Sequence, residues 1–207
     1  MIWPHSLRRK FKFFQFPRAR TELAQACNGS DRAQRDAKRA CYSALHDGLT
    51  LLPNGEYFRV RLEQALGRTE PPRQALAVFY LNLDEFTPFI NTYGYNVRDE
   101  LLKMVAARML LAMRAEDMLS RLRNDEFASL VAGLPSKSQL SGLADSLLRA
   151  VSTPLKIGNL HLCVHPNIGI ARWPADGVSA EVLLSNAEFA MYLAKQHKTG
   201  FAFVNER

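Results

Sequence analysis

From about residue 47 onward, apolar residues at helical spacing alternate with short continuous apolar runs. After Pro53-Asn54, Phe58, Leu62 and Leu66 recur every fourth position as far as Gly67, the spacing of a helix with a glycine stop. Residues 75–83 (ALAVFYLNL) form an unbroken apolar run, β-branched and aromatic in its middle, which predicts a buried strand. Thr87-Pro88 opens a short helix, because proline suits a first helical turn. Residues 96–113 carry the clearest helical stripe: Val97, Leu101, Val105, Met109 and Met113, widened by Leu102, Ala106 and Leu110. Asp99 and Glu100 in its first turn and Arg114 at its end suit the helix dipole.

Met118 and Leu122 bracket a strand, and Phe127, Leu130 and Val131 belong to a second strand beyond a two-residue turn. Leu140, Leu143, Leu147 and Val151 define another amphipathic helix. Residues 155–171 predict a hairpin about Gly158-Asn159 that includes a long strand. In residues 179–195, Leu183, Ala187, Ala190, Met191 and Ala194 face inward on a helix, and residues 201–204 form a last strand. This order predicts an α+β layer fold, a mainly antiparallel sheet covered by helices.

The chain before residue 47 has a different character. Residues 1–20 interleave Arg8, Arg9, Lys10, Lys12, Arg18 and Arg20 with Trp3, Phe11, Phe13, Phe14 and Phe16, and contain no acid. They hold six of the seven net positive charges, so the basic balance belongs to this arm and not to the domain. An anionic membrane surface or nucleic acid would suit such an arm; the plainer readings are a poorly ordered terminus and docking of its phenylalanines on the rest of the chain. No specific nucleic-acid binding is expected of it. Ser30 or Asp31 can cap a helix with Ala33, Ala37, Ala40, Cys41 and Ala44 on one face. Residues 1–46 thus read as a basic arm and helical extension, and residues 47–207 as the domain.

At 207 residues, the chain is long enough for one packed domain plus that extension. Its apolar runs are too short to cross a bilayer, and the first twenty residues lack a signal peptide's apolar region. Cys27, Cys41 and Cys163 are widely spaced, with no CxxC pair, which fits a reducing cytoplasm. His161, Cys163 and His165 alternate and so share one strand face. The two histidines lie about 13 Å apart in extended chain, too far to share a zinc ion, and no metal site is expected there.

Six stretches together resemble the GGDEF (diguanylate cyclase) family, over about residues 47–205. Asp47-x-Leu49-Thr50-x-Leu52-Pro53-Asn54 resembles DxLTxLPN, Asn82-x-Asp84-x-Phe86 resembles DxDxF, and Tyr93-Gly94-Tyr95-x-x-x-Asp99 resembles YGHxxGD. Arg121-Leu-Arg-Asn-Asp-Glu-Phe127 resembles RYGGDEF, Ile168-Gly169-Ile170-Ala171 resembles SIGVA, and Ala190-Met191-Tyr192-x-Ala194-Lys195 resembles ALYxAK. The resemblance implies a βααββαβ core like the nucleotide-cyclase palm. It also implies a site that condenses two GTP molecules by phosphoryl transfer, where metals neutralise charge and positioning supplies much of the rest.

Against that pattern this chain departs at several places. Asn82 fills the first metal-carboxylate slot, and Asp125 keeps the second; hard cations favour anionic oxygen over an amide. Arg123 and Asn124 stand where two glycines let backbone approach phosphate. Thr87 replaces a lysine, and Ile90 falls on the asparagine slot of the guanine pocket with Asn91 beside it, while Asp99, Glu126 and Lys195 persist. Losing one preorganised electrostatic group costs about 3–4 kcal/mol of transition-state stabilisation. The expectation is therefore a degenerate GGDEF domain without cyclase activity or a magnesium requirement. Its vestigial nucleotide site would comprise Asn82, Asp99, Arg123, Asn124, Asp125, Glu126 and Lys195, with no catalytic residue.

Arg114-Ala115-Glu116-Asp117 resembles the RxxD inhibitory site of the family, which binds cyclic di-GMP; Asp117 lies six residues before Arg123, as the family requires. An arginine fork can bond guanine O6 and N7 or a phosphate, and a carboxylate can accept guanine N–H groups. Both side chains are expected to face solvent. Arg149 is the candidate for a second arginine, one turn beyond Ser146 in the next helix. The plainer alternative is that Arg114 neutralises its helix end and pairs with Asp117. The functional expectation is a bacterial cyclic di-GMP receptor acting through a protein partner or a homodimer, cytoplasmic or peripheral at the inner membrane. A ligand-independent interaction module and a GTP-binding regulatory domain are the alternatives.

Overall fold

The computed structural model describes residues 42–68, 75–84, 86–133 and 136–205. The basic arm, almost all of the helical extension and residues 69–74 lie outside the described residues.

Helix α1 (Gly55–Leu66) begins where the Asn54 side chain accepts the Tyr57 N–H at 3.0 Å, and Gly67 ends it, as its apolar spacing predicts. Strand β1 (Leu76–Leu83) is buried at every position but Asn82. It runs antiparallel to both of its neighbours, which makes it the centre of the sheet.

Helix α2 (Phe86–Ala112) contains both predicted helices, broken at Gly94. That residue has φ 79° and ψ 174°, a conformation that strains any residue with a Cβ. Strands β2 (Met118–Arg123) and β3 (Glu126–Ala132) form the predicted hairpin, and helix α3 (Lys137–Ser152) follows. The Arg108 guanidinium of α2 donates to the carbonyls of Thr153 and Pro154, satisfying groups that the end of α3 leaves open.

Residues 155–171 form two units. Strands β4 (Leu155–Ile157) and β5 (Leu160–Leu162) make a separate two-stranded hairpin, and the long strand β6 (Pro166–Trp173) joins the main sheet. Between them, the His165 carbonyl accepts the Asp84 N–H at 2.8 Å and delivers the chain to β1. Leu162 and Val164 are buried, while His161, Cys163 and His165 are exposed, the alternation read from sequence.

Helix α4 (Ala180–His197) and strand β7 (Phe201–Phe203) complete the chain. The five-stranded sheet has the order β2-β3-β1-β6-β7, antiparallel throughout except for the β6–β7 pair.

Alternate residues of β1 feed two cores. Ala77, Phe79, Leu81 and Leu83 pack with Leu101, Val105 and Met109 of α2 and Leu140, Leu147 and Val151 of α3. Leu76, Val78 and Tyr80 pack with Phe58 and Leu62 of α1 and Leu183, Ala187 and Met191 of α4. Gly169 of β6 lets α4 come close: a Cβ there would lie 1.9 Å from the Ala187 carbonyl oxygen and 2.2 Å from the Met191 nitrogen. The fold is the α+β arrangement expected, with helices on both faces of a mainly antiparallel sheet. Among the described residues, no helix is long and apolar enough to cross a membrane.

Candidate functional site

Asn82 is the last polar position of β1 on the face covered by α1 and α4. Its cross-strand neighbours are Glu126 of β3 and Asn167 of β6, so three polar side chains form a row across the sheet's end. The Asn82 Nδ2 donates to Asp125 Oδ2 at 2.7 Å. Lys195, in the last turn of α4, reaches over the same edge; its Nζ lies 2.9 Å from Asp84 Oδ1 and 3.5 Å from Asn82 Oδ1. The resulting cluster is Asn82, Asp84, Asp125 and Lys195. Burial raises the Asp125 carboxyl above its ordinary range and the Glu126 charge adds to this, against the amide of Asn82 and the ammonium of Lys195.

The turn residues Asn124 and Asp125 project the hairpin tip beside this cluster, with Asn124 in the left-handed region at φ 40°. Arg123 Nε donates to Glu126 Oε2 at 2.5 Å, and its Nη2 lies 3.7 Å from Glu188 of α4. The Arg123 side chain thus bridges the hairpin tip and α4, paired with the carboxylate that the family motif retains. Burial, and then the Glu126 charge, push the Tyr80 phenol upward beneath it.

Arg121 fixes the tip from behind. Its Nε and Nη2 donate to the Asn124 carbonyl at 2.9 and 2.5 Å, and its Nη1 donates to Asp47 Oδ1 at 2.9 Å. Asp47 also accepts from the Thr50 N–H at 2.8 Å and the Thr50 hydroxyl at 2.6 Å. Burial alone would raise its carboxyl, but the Thr50 and Arg121 donors outweigh that and hold it below the ordinary range.

Asp99 stands apart chemically. It accepts from Arg98 Nε and Nη2 at 2.8 and 2.5 Å, and no bond among the described residues joins it to the Asn82 cluster. Ile90 packs against the core.

At the opposite end of the β2–β3 hairpin, Arg114 and Asp117 form a preformed pair. Arg114 Nη2 donates to Asp117 Oδ1 at 2.5 Å and Nε to Asp117 Oδ2 at 3.0 Å; Nη2 also donates to the Ala132 carbonyl at 2.7 Å. The Arg114 backbone N–H reaches Asp117 Oδ2 at 3.3 Å. The expectation that both side chains face solvent is corrected for Asp117, whose side chain is fully buried, while that of Arg114 is 32% exposed. Turning the chain from α2 into β2 sends the carboxylate back under the guanidinium. The remaining nitrogen of Arg114, Nη1, lies 3.2 Å from Glu116 Oε1. Arg149 is exposed and donates to its own neighbour Ser146 Oγ at 3.4 Å.

Sequence reasoning quoted Asp47, Asp84 and Arg121 only as parts of motifs, and gave Glu116 no role. A charged residue among the apolar positions at the start of β2, Arg121 after Met118 and Leu119, is the available signal for the tether.

A mainly antiparallel sheet with a polar cluster at the end of its central strand and an arginine–carboxylate corner at the far end of its hairpin defines a palm-like α+β domain. The family described as Diguanylate cyclase, GGDEF domain matches residues 44–200, and the chain belongs to it. The Pseudomonas aeruginosa protein MucR, a bifunctional diguanylate cyclase/cyclic di-GMP phosphodiesterase, is 37% identical over 161 residues, which are 77% of this chain and 23% of MucR. The solved GGDEF domain of TpbB from the same organism superposes with a TM-score of 0.70 at 33% identity, covering 73% of this chain and 89% of that one. The GGDEF domain of DgcB from Caulobacter crescentus, solved in complex with c-di-GMP, shares the fold at TM-score 0.72 and 22% identity, over 79% of this chain and 98% of that one. The chain spans well under half the length of the curated relatives MucR and TpbB, 23% and 39%. It is a GGDEF domain of the kind found in bacterial cyclic di-GMP signalling proteins.

Proposed function

We propose that this domain reads cyclic di-GMP at the Arg114–Asp117 corner and does not synthesise it. The observation that carries the reading is the contrast between the two ends of the β2–β3 hairpin. At the tip, the Asn82 amide donates a hydrogen bond into the carboxylate that would have to share a magnesium ion, and the Lys195 ammonium sits against Asp84. A neutral amide at one of the two metal-ligand positions is a weaker partner for a divalent cation than the anionic oxygen it replaces. Arg123 is folded onto Glu126 where two glycines would leave backbone open to phosphate. At the other end, Arg114 is held by Asp117 and Ala132 and remains partly exposed with Nη1 beside the exposed Glu116, a pre-oriented donor for guanine or phosphate.

Signalling then proceeds through changed contacts with a protein partner or a second copy of the chain. On this reading the domain works in the cytoplasm, where an arm as rich in arginine and lysine as residues 1–20 would suit the inner membrane surface. Isothermal titration of the full chain tests the proposal. Cyclic di-GMP gives heat that Arg114→Ala abolishes, and GTP with magnesium yields no cyclic di-GMP by chromatography. Formation of that product, or an Arg114→Ala variant that binds as wild type does, refutes it.

A further inference from the structure

Helix α4 is apolar on two opposite sides. Leu183, Ala187, Ala190 and Ala194 are buried on the side that faces the sheet. On the other side Val182, Phe189 and Tyr192 are exposed, and so is Val178 in the turn before the helix. With Ser185 and Gln196, also exposed, they follow one another at steps of four, three, four, three and four residues. That is the heptad spacing of a helix–helix seam, whereas single apolar residues scattered over a surface show no such period. Phe189 is 56% exposed, and Gln196 Nε2 donates to the Tyr192 hydroxyl at 2.6 Å, which ties the two seam side chains together. One flank of the seam carries Glu181, Glu188 and Lys195 at successive heptads; the other carries Asn186 and Leu193.

We infer that α4 pairs antiparallel with α4 of a second copy of this chain. About a two-fold axis, Val182 then meets the partner's Tyr192 and Phe189 meets the partner's Ser185, so a large side chain lies over a small one in each layer. In an antiparallel pair the charged flank faces itself, which sets Glu181 against the partner's Lys195 and, by symmetry, Lys195 against the partner's Glu181. Lys195 keeps 44% of its side chain exposed while it meets Asp84, so it is open to this second carboxylate. The two Glu188 carboxylates come near each other at the axis, and Arg123 Nη2, 3.7 Å from Glu188, offsets their repulsion. A parallel pair would instead set Glu181 and Glu188 against Asn186 and Leu193, with no cation to meet them. Size and charge therefore both select an antiparallel second copy. A helix of 18 residues is about 27 Å long, so the seam is short and the pair belongs to the weak, transient class. The inference does not depend on the cyclic di-GMP reading; it gives the second copy invoked there a surface.

Sedimentation velocity of the full chain, with no nucleotide present and over a concentration series reaching about 1 mM, is the test. Wild type should pass from monomer to dimer along the series. Phe189→Glu should raise the dissociation constant roughly tenfold or more, as losing a central aromatic anchor does. Leu111→Glu, at a residue of α2 that is 57% exposed, should associate as wild type does. Glu181→Lys sets like charges against each other; it should weaken the pair at low salt, and high salt should remove the difference. All three positions are exposed, and unchanged circular dichroism confirms that the variants fold. A wild type that stays monomeric throughout overturns the assignment and leaves the face to another occupant, the basic arm or a different protein. A dimer that survives Phe189→Glu, or that Leu111→Glu breaks equally, overturns it in favour of another surface. A dimer broken by Phe189→Glu but indifferent to Glu181→Lys at low salt overturns the antiparallel register. Failure of the cyclic di-GMP titration changes none of these outcomes.

Discussion

Among the described residues, the Asp117 carboxylate accepts three hydrogen bonds, all from Arg114. The pairing foreseen as the plainer alternative is thus present, and it pre-orients the arginine. Removing the carboxylate leaves a partly buried guanidinium without its main counter-charge. Asp117→Ala should lower unfolding free energy by about 1–3 kcal/mol, a buried-pair cost discounted for the exposure of Arg114. Urea denaturation measures it, and a loss below 0.5 kcal/mol would show the pair to be incidental. At the cleft, Asn82→Asp would set two carboxylates where an amide now donates to Asp125 at 2.7 Å. Without a divalent cation the repulsion destabilises the variant; with millimolar magnesium or manganese its melting temperature should rise by several degrees. Wild type should show no comparable rise, and an equal shift in both proteins would mean that the amide does not disfavour the cation. The substitution at Asn82 was legible in sequence. The inward commitment of Asp117 was not, because a four-residue pattern does not record which way a loop carboxylate turns.

Among the elements, α4 shows how a glycine sets a site some distance from it. The sheet and α4 approach so closely at Gly169 that a methyl group would overlap two backbone atoms of the helix. Gly169→Ala must push α4 outward, which loosens Leu183, Ala187 and Met191 and withdraws Lys195 from Asp84. The expected cost is about 3 kcal/mol or more, at or beyond the upper end for an overpacked core. Thermal melting should show it as a large drop, and a variant as stable as wild type would mean that the contact relaxes freely. Element type was readable wherever apolar periodicity ran for three turns or more, as in α1, α2, α3 and α4. The division of residues 155–171 was not. The same alternation of apolar and polar positions continues through Leu162 and Val164, although only β6 meets β1.

For the molecule as a whole, Asp47 and Arg121 join the first turn of the domain to the hairpin tip across 74 positions of sequence. The Asp47 carboxyl is held below its ordinary range in the folded state, so its charge stabilises the fold above about pH 4, the unfolded value. That contribution disappears as pH falls through the lower folded value. Wild type should exceed Asp47→Asn in stability at pH 6, and the gap should narrow as the pH is lowered below about 4; chemical denaturation along that series checks the sign. A gap that widened in acid would mean that the bond to Arg121 does not depend on the carboxylate charge. The sequence by itself determined the α+β class, the positions of most helices and strands, the GGDEF resemblance and the chemical identity of each altered position. Those follow from local periodicity and residue type, which short stretches of chain carry in full. Only the tertiary structure decided which side chains meet: Asn82 with Asp125 and Lys195, Arg123 with Glu126, and Arg114 with a buried Asp117 and an exposed Glu116. Such pairings depend on strand register, on the close approach of α4 and on the direction of each turn, all fixed by packing between residues far apart in the chain.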